Sequence, residues 1–433
     1  MTEWKKLYIK KLARVVSFLS LFCIYASNSL HAKAAWTFLV YVQADNNLEP
    51  FAEYNIADMR TALINSSVNV LVQWDQPDNN RTWRYRIVRG GIIEDASLST
   101  EMGINPAQEL IDMTKWAKAK YDADRWCIVL WNHGYGVLDP ARNVRVPPFF
   151  PLIYSPFSQA ARGILFDDSQ QTYATNQDLS YACQKIKTDV LKKNIDILGM
   201  DACLMAMLEV GYQVKDCVDY MVASEQTEPA DGWDYSAILN TMCSKTCTSL
   251  EASKAIVNSY KGYYFNRIND YTMSVMQLNR IEAVKTSLQG VLAKIEQCRL
   301  KDPTRTRGAI RLARQSTASF DVTDYIDLYN WCVMIKNQFS RYKLKIIANK
   351  LVSLAFKKAI DALIPALNDL QSKLLLAVPS SVAGPFYRNV KGISIYYPQG
   401  SIHRSYALTT FAKKTNWMKF LQLYRFPTNI NNK

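Results

Sequence analysis

Two patterns in the sequence predict an α/β protein built on a mainly parallel sheet with helices on both faces. The first is a set of short, continuously apolar runs: "WTFLVYVQ", "VNVLVQW", "RWCIVLW" and "IDILGM". Their β-branched and aromatic residues suit strands buried on both sides. The second is the helical spacing of the stretches between them. Strand and helix in alternation call for crossover connections, and these build parallel sheets.

In chain order, "WTFLVYVQ" from Trp36 is the first strand and "EPFAEYNIADMRTALI" the first helix. "VNVLVQW" is the second strand, continued by a strand pair through "TWRYRIV". "PAQELIDMTKWAKAKY" is amphipathic and precedes the strand "RWCIVLW". After a loop come "GILFD", the helix "NQDLSYACQKIKTDVL" and the strand "IDILGM". A helix is expected from Leu204, and "DYMVAS" is the next strand. Past Ser249 helical stretches dominate, among them "DVTDYIDLYNWCVMIKNQF", with short strands "YTMSVMQL", "KLLLAV" and "GISIYYP". The expected organisation is an N-terminal segment 1–34, an α/β domain 35–249, and a mainly helical region 250–433 packed on the sheet.

At 433 residues the chain is long enough for two or three packed units, and its 49% apolar and 21% charged residues are globular values. Lys5, Lys6, Lys10, Lys11 and Arg14 precede "VVSFLSLFCIYA" and then small residues near Ala32 and Ala34. That order is expected of a secretory signal peptide, with a retained anchor as the other reading. Residues 1–34 hold six Lys/Arg and one Glu, so +9 of the +14 formal charge falls on the rest. Those basic residues are scattered, which argues against a nucleic-acid stripe.

Eight cysteines follow Cys23, with no CxxC pair and no spacing suited to zinc. Cys243 and Cys247 could form a local disulfide; most of the others read as small core residues.

Only three histidines occur: His31, His133 and His403. His133, in "LWNHGYG", follows one apolar strand, and Cys203, in "GMDACLM", follows another. Loops at the carboxyl ends of parallel strands gather at one edge, so the two residues are expected there together. A thiol beside an imidazole suits nucleophilic catalysis, and a helix starting after Cys203 would favour the thiolate. Gly134 leaves its backbone open to a substrate carbonyl, so the N–H groups of Gly134 and Cys203 are candidates for an oxyanion hole.

These stretches resemble the clostripain-like cysteine peptidases, relatives of caspases, gingipains and legumains. "WNHGYG", "GMDACLMAMLEV", "VASEQTEPADGWDY", "GISIYYP" and the opening "WTFLVYVQADNNLEP" carry the resemblance, which spans most of the chain from Trp36. It implies a caspase-like α/β/α sandwich with a His133–Cys203 dyad and a thioester intermediate. It also associates Asp201 and Asp231 with a pocket for a basic P1 side chain, and hence cleavage after Arg, with Lys accepted. Each acid has a plain reading too, as a turn former.

Between the dyad residues lies a proline- and aromatic-rich loop whose Arg142, Arg145 and Arg162 are candidates for self-cleavage, Arg145 foremost. Some relatives need calcium; Asp167 and Asp168 could bind a hard cation, but "FDDSQ" reads as a turn and no metal is assigned. The expected partners are protein or peptide substrates with a basic P1 residue, with no nucleic acid, no membrane beyond the N-terminal segment, and a monomeric chain. The competing readings are a catalytically silent binding or adhesion protein on the same fold, or a transpeptidase.

Overall fold

The computed structural model of the chain describes residues 33–76, 81–139, 163–349 and 353–424. The expected signal segment and the loop arginines 142, 145 and 162 lie outside the described residues.

The first half runs β1 (Ala34–Gln43), α1 (Glu49–Thr61), β2 (Val68–Asp75), β3 (Thr82–Val88), β4 (Gly91–Leu98), α2 (Pro106–Lys120) and β5 (Ala123–Trp131). It continues through the hairpin β6 (Ile164–Asp167) and β7 (Thr172–Ala174), α3 (Asn176–Lys185), β8 (Ile195–Asp201), α4 (Leu208–Val214) and β9 (Val218–Ala223). The second half holds α5 (Tyr235–Ser244), α6 (Ser249–Tyr264), β10 (Thr272–Gln277), α7 (Ile281–Lys301), α8 (Pro303–Ser316), β11 (Tyr325–Asp327) and α9 (Leu328–Asn349). It ends with α10 (Leu354–Ala377), β12 (Ser380–Ala383), β13 (Ser394–Tyr396), α11 (Thr410–Lys414) and α12 (Trp417–Tyr424).

One nine-stranded sheet has the order β12-β10-β9-β8-β5-β1-β2-β3-β4. Its centre, β9-β8-β5-β1-β2, is parallel, and antiparallel strands flank it on both sides. Alternate residues of β1 feed two cores. Trp36, Phe38, Val40 and Val42 pack with α1, α5 and α6, while Leu39 and Tyr41 face α2, α3 and the C-terminal helices. Each large side chain so buried stabilises the fold by roughly 1.5–3 kcal/mol, so the sheet anchors both cores. Local signals set the helix starts: Thr175 with Asp178, and Thr248 with Glu251, form reciprocal capping boxes.

Several expectations need correction. "KLLLAV" is not a strand but the last turns of α10. Leu374 and Ala377 are buried while Leu375 and Leu376 are about half exposed, a helical period that a short apolar run hides. Pro379 follows, and β12 starts at Ser380. The helix expected from Asp321 starts at Leu328, after β11. The helix expected from Leu204 starts at Leu208, because residues 204–207 bond to other segments instead. Leu204 N–H donates to Gln226 O, Ala206 N–H donates to Ser224 O, and Met207 bridges Ser394. Leu204 also has φ +67°, outside any right-handed helix. Cys243 and Cys247 are both free and buried, not paired. The expected strand "YTMSVMQL" is β10, and with β12 it carries the one sheet into the region after residue 249. Among the described residues, no helix is long and apolar enough to cross a membrane.

Candidate active site

The sheet fixes where the candidate residues stand. β5 and β8 are parallel neighbours with Trp131 opposite Asp201, and Asn132 N–H donates to Asp201 O (3.3 Å). His133 and Cys203 therefore leave adjacent strands at the same level of the carboxyl edge. The two loops touch. A Cβ on Gly134 would fall 2.6 Å from the Cys203 carbonyl oxygen and 3.0 Å from Ala202 Cβ, so only glycine fits.

His133 Nε2 lies 2.8 Å from Asn47 Oδ1, in the loop after β1. An acceptor at Nε2 keeps the proton there and leaves the lone pair on Nδ1. Asn132, one residue earlier, ties the same region together. Its Nδ2 donates to Gln43 O (2.5 Å) and Phe166 O (2.9 Å), and its Oδ1 accepts from Phe166 N–H (2.8 Å). Desolvation pushes His133 down to about 4, although part of the residue still reaches solvent.

Cys203 is half-buried; its Sγ accepts from Glu228 N–H (3.3 Å) and lies 3.7 Å from Glu228 O. Burial pushes the thiol up to about 12; the Glu228 N–H opposes the shift, and the charges of Glu228, Asp321 and Asp201 add to it. Burial thus favours the neutral form of both the Cys203 thiol and the His133 imidazole. The helix dipole expected to help is not in place: α4 starts five residues beyond Cys203.

The candidate pocket acids stand on either side of Gly232. Asp201, only 5% exposed, accepts from Trp233 N–H (3.2 Å) and Tyr235 O–H (2.8 Å). Burial still pushes it up to about 7. Gly232, at φ +66°, brings its Cα so close that a Cβ would sit 2.9 Å from Asp201 Oδ2. Asp231, half-buried, accepts from Tyr263 O–H (3.0 Å), and its carbonyl accepts from Asn55 Nδ2 (2.8 Å). Glu228 is a third acid, which sequence reasoning missed. Its Oε2 accepts from Trp233 Nε1 (3.0 Å), and burial and the neighbouring Asp201 carboxyl both raise it. It lies in "SEQTEPADGW", the acidic stretch that follows β9.

Asn47 was missed as well, although the polar run "QADNN" at the end of a central strand marks the edge where ligand loops gather. Asp167, set aside as a turn acid, lies with Asp45 and Asp75 in a buried carboxylate cluster able to hold a metal ion. Asp168 stands beside it, its N–H donating to Asp45 O (2.9 Å).

A thiol and an imidazole delivered to one sheet edge, next to buried carboxylates, fit a thiol peptidase of the α/β class. The chain belongs to the clostripain family, whose model matches residues 40–424, and it is a cysteine peptidase. It is 23% identical to clostripain of Hathewaya histolytica over 84% of this chain and 74% of that protein. Solved structures share the fold. A secreted C11 cysteine protease of Bacteroides thetaiotaomicron, "iotapain", has a TM-score of 0.62 at 16% identity, covering 90% of this chain and 99% of that one. An inactive zymogen C11 protease of Parabacteroides distasonis has a TM-score of 0.57 at 18% identity, covering 91% and 99%.

Proposed function

We propose that this peptidase is exported and cleaves after arginine, accepting lysine, through a thioester on Cys203. His133 Nδ1 takes the Cys203 proton as Sγ attacks the substrate carbonyl. The carbonyl oxygen gains negative charge and is held by the N–H groups of Gly134 and Cys203. His133 then returns the proton to the leaving amine, the C–N bond breaks and the thioester remains. A water molecule, deprotonated by His133, attacks the thioester, and Cys203 leaves with the proton restored. Asn47 holds the imidazole with Nδ1 unprotonated, as a positioning residue.

In the pocket, a P1 guanidinium would meet the carboxylates of Asp201 and Asp231 in paired, charge-assisted hydrogen bonds. Export is supported by the N-terminal charge and hydropathy order, and by the fold shared with a secreted cysteine protease. The observation that carries the reading is the shared register of β5 and β8, which sends His133 and Cys203 to one edge.

An arginyl chloromethylketone tests it. The wild-type chain should be alkylated once, at Cys203, faster than by a reagent with an uncharged P1 group. Folded Cys203→Ala should not react. An unlabelled wild-type chain would instead support the silent binding protein.

A further inference from the structure

Cys203 stands in a cradle made by residues 224–228, the segment that follows β9. On its C-terminal side, Leu204 N–H donates to Gln226 O (3.2 Å) and Ala206 N–H to Ser224 O (2.8 Å). Leu204 has φ +67°, a conformation that costs free energy for any residue but glycine and persists only where its surroundings fix it. The cradle is itself anchored. Gln226 N–H reaches Ser224 Oγ (3.1 Å) and Thr272 Oγ1 (3.0 Å), and the Gln226 side chain exchanges hydrogen bonds with Asp321.

Glu228 closes the cradle on the other side. Its N–H donates to Cys203 Sγ (3.3 Å), and its carboxyl faces the N–H of Ala202, the residue before Cys203. That carboxyl is held in turn by Trp233 Nε1 (3.0 Å) and by a hydrogen bond with the Asp201 carboxyl. Trp233 is 2% exposed, and a Cβ on Gly199 of β8 would fall 2.8 Å from its ring, so the indole is wedged against the sheet. The sheet thus sets the indole, the indole sets the carboxyl, and the carboxyl sets the N–H at the sulfur.

We infer that Glu228 is a positioning residue for the nucleophile: its carboxyl, joined to Asp201 and Trp233, fixes the backbone N–H that steadies the Cys203 sulfur as it becomes a thiolate. The inference rests on the reading of Cys203 as the nucleophile. No helix N-terminus serves the sulfur, since α4 starts only at Leu208. The Glu228 N–H is the group that lowers the thiol against its burial.

The carboxyl must do this without adding charge. A hydrogen bond between two carboxyls needs a proton on one of them, because an ionised carboxylate only accepts. Burial raises both, Asp201 to about 7 and Glu228 well above the ordinary carboxylate range, which favours keeping that proton. A second negative charge beside Cys203 would oppose its thiolate. Glutamine meets the same need: its amide N–H donates to Asp201 and its carbonyl accepts from Trp233 Nε1.

The test compares full-length wild type with Glu228→Gln, Glu228→Asp and Glu228→Ala on an arginyl amide substrate, each fold checked by circular dichroism. The Ala and Asp variants should lower kcat at least about tenfold with KM within about threefold, because the N–H drifts from the sulfur. Glu228→Gln should stay within about threefold of wild type in both constants. A second readout needs no substrate. Iodoacetamide, small and uncharged, should alkylate Cys203 about tenfold more slowly in the Ala and Asp variants and at the wild-type rate in the Gln variant, by mass spectrometry of the Cys203 peptide.

Unchanged kcat and alkylation in a folded Ala or Asp variant would overturn the role. A Gln variant as poor as the Ala variant would overturn it too, since charge and not placement would then matter. A KM for arginine raised about tenfold at unchanged kcat would make Glu228 a pocket acid instead. Should neither Ala nor Asp fold, a tenfold loss of kcat in folded Glu228→Gln decides against the role, and wild-type constants there support it. A wild-type chain alkylated at Cys203 that hydrolyses no arginyl amide overturns the proposed specificity alone, and the alkylation rates still decide on Glu228.

Discussion

Trp131 and Asp201 are register partners on adjacent parallel strands, and each stands two residues before a catalytic candidate. The relationship makes the dyad a property of the sheet. Cys203→Ala and His133→Ala should each abolish hydrolysis in a protein that still folds, because members of a unit that acts together lose nearly everything singly. Far-ultraviolet circular dichroism checks the fold. Substantial turnover by folded Cys203→Ala would remove the assignment.

Asn47 should act on orientation and proton placement. Asn47→Ala is expected to lower kcat about tenfold or more with little change in KM, since small misplacements of a catalytic group carry large penalties. Asn47→Asp should keep the contact and put a negative charge beside the imidazole, which favours its protonated form. The acid limb of the pH–rate profile would then move to higher pH. A purely structural Asn47 would leave that limb where it is.

Charge recognition in the pocket predicts a selective loss. Asp231→Ala should weaken turnover of arginine substrates by at least about tenfold, on the order of 1.4 kcal/mol of transition-state binding. A substrate with an uncharged P1 residue should lose much less. Equal losses for both would show that Asp231, through Tyr263 and Asn55, supports the fold instead.

Buried acids also predict how stability varies with pH. Asp201 and Glu209 are each raised to about 7, chiefly by burial, from ordinary values of 3.8 and 4.5. The folded state therefore holds these protons more tightly than the unfolded chain does. Their contribution is complete below the unfolded values and is lost as pH rises through about 7. The thermal midpoint of Cys203→Ala should fall between about pH 5.5 and about pH 8. A midpoint that rises over the range would show that these carboxyls are ionised in the folded state.

Self-processing remains a prediction of specificity. A pocket for arginine suits Arg145, with Arg142 and Arg162 as further sites in the same connection. Mass spectrometry should find wild-type protein as two associated chains and Cys203→Ala intact. An uncut, fully active wild-type chain, or equal cutting in both, would exclude it.

The parallel sheet was legible because strands such as "RWCIVLW" and "IDILGM" are apolar throughout and the helices between them are amphipathic. Length and neighbours were harder. "KLLLAV" carries its helical period only when read with Leu370 and the turns before it, and the run after Cys203 looks helical until Gln226, Ser224 and Ser394 claim its backbone groups. His133 and Cys203 were legible because histidine is scarce and both follow strands. Asn47, Glu228 and the joining of Asp45 to Asp75 and Asp167 were not. Each depends on which loops meet in space, and single-sequence periodicity holds no such information.

The close approach of Gly134 to the Cys203 carbonyl, Ala202 and Met205 means that the two candidate loops leave no room for a side chain at position 134. Any side chain at position 134 would have to push the two loops apart, so their spacing hangs on this one missing atom.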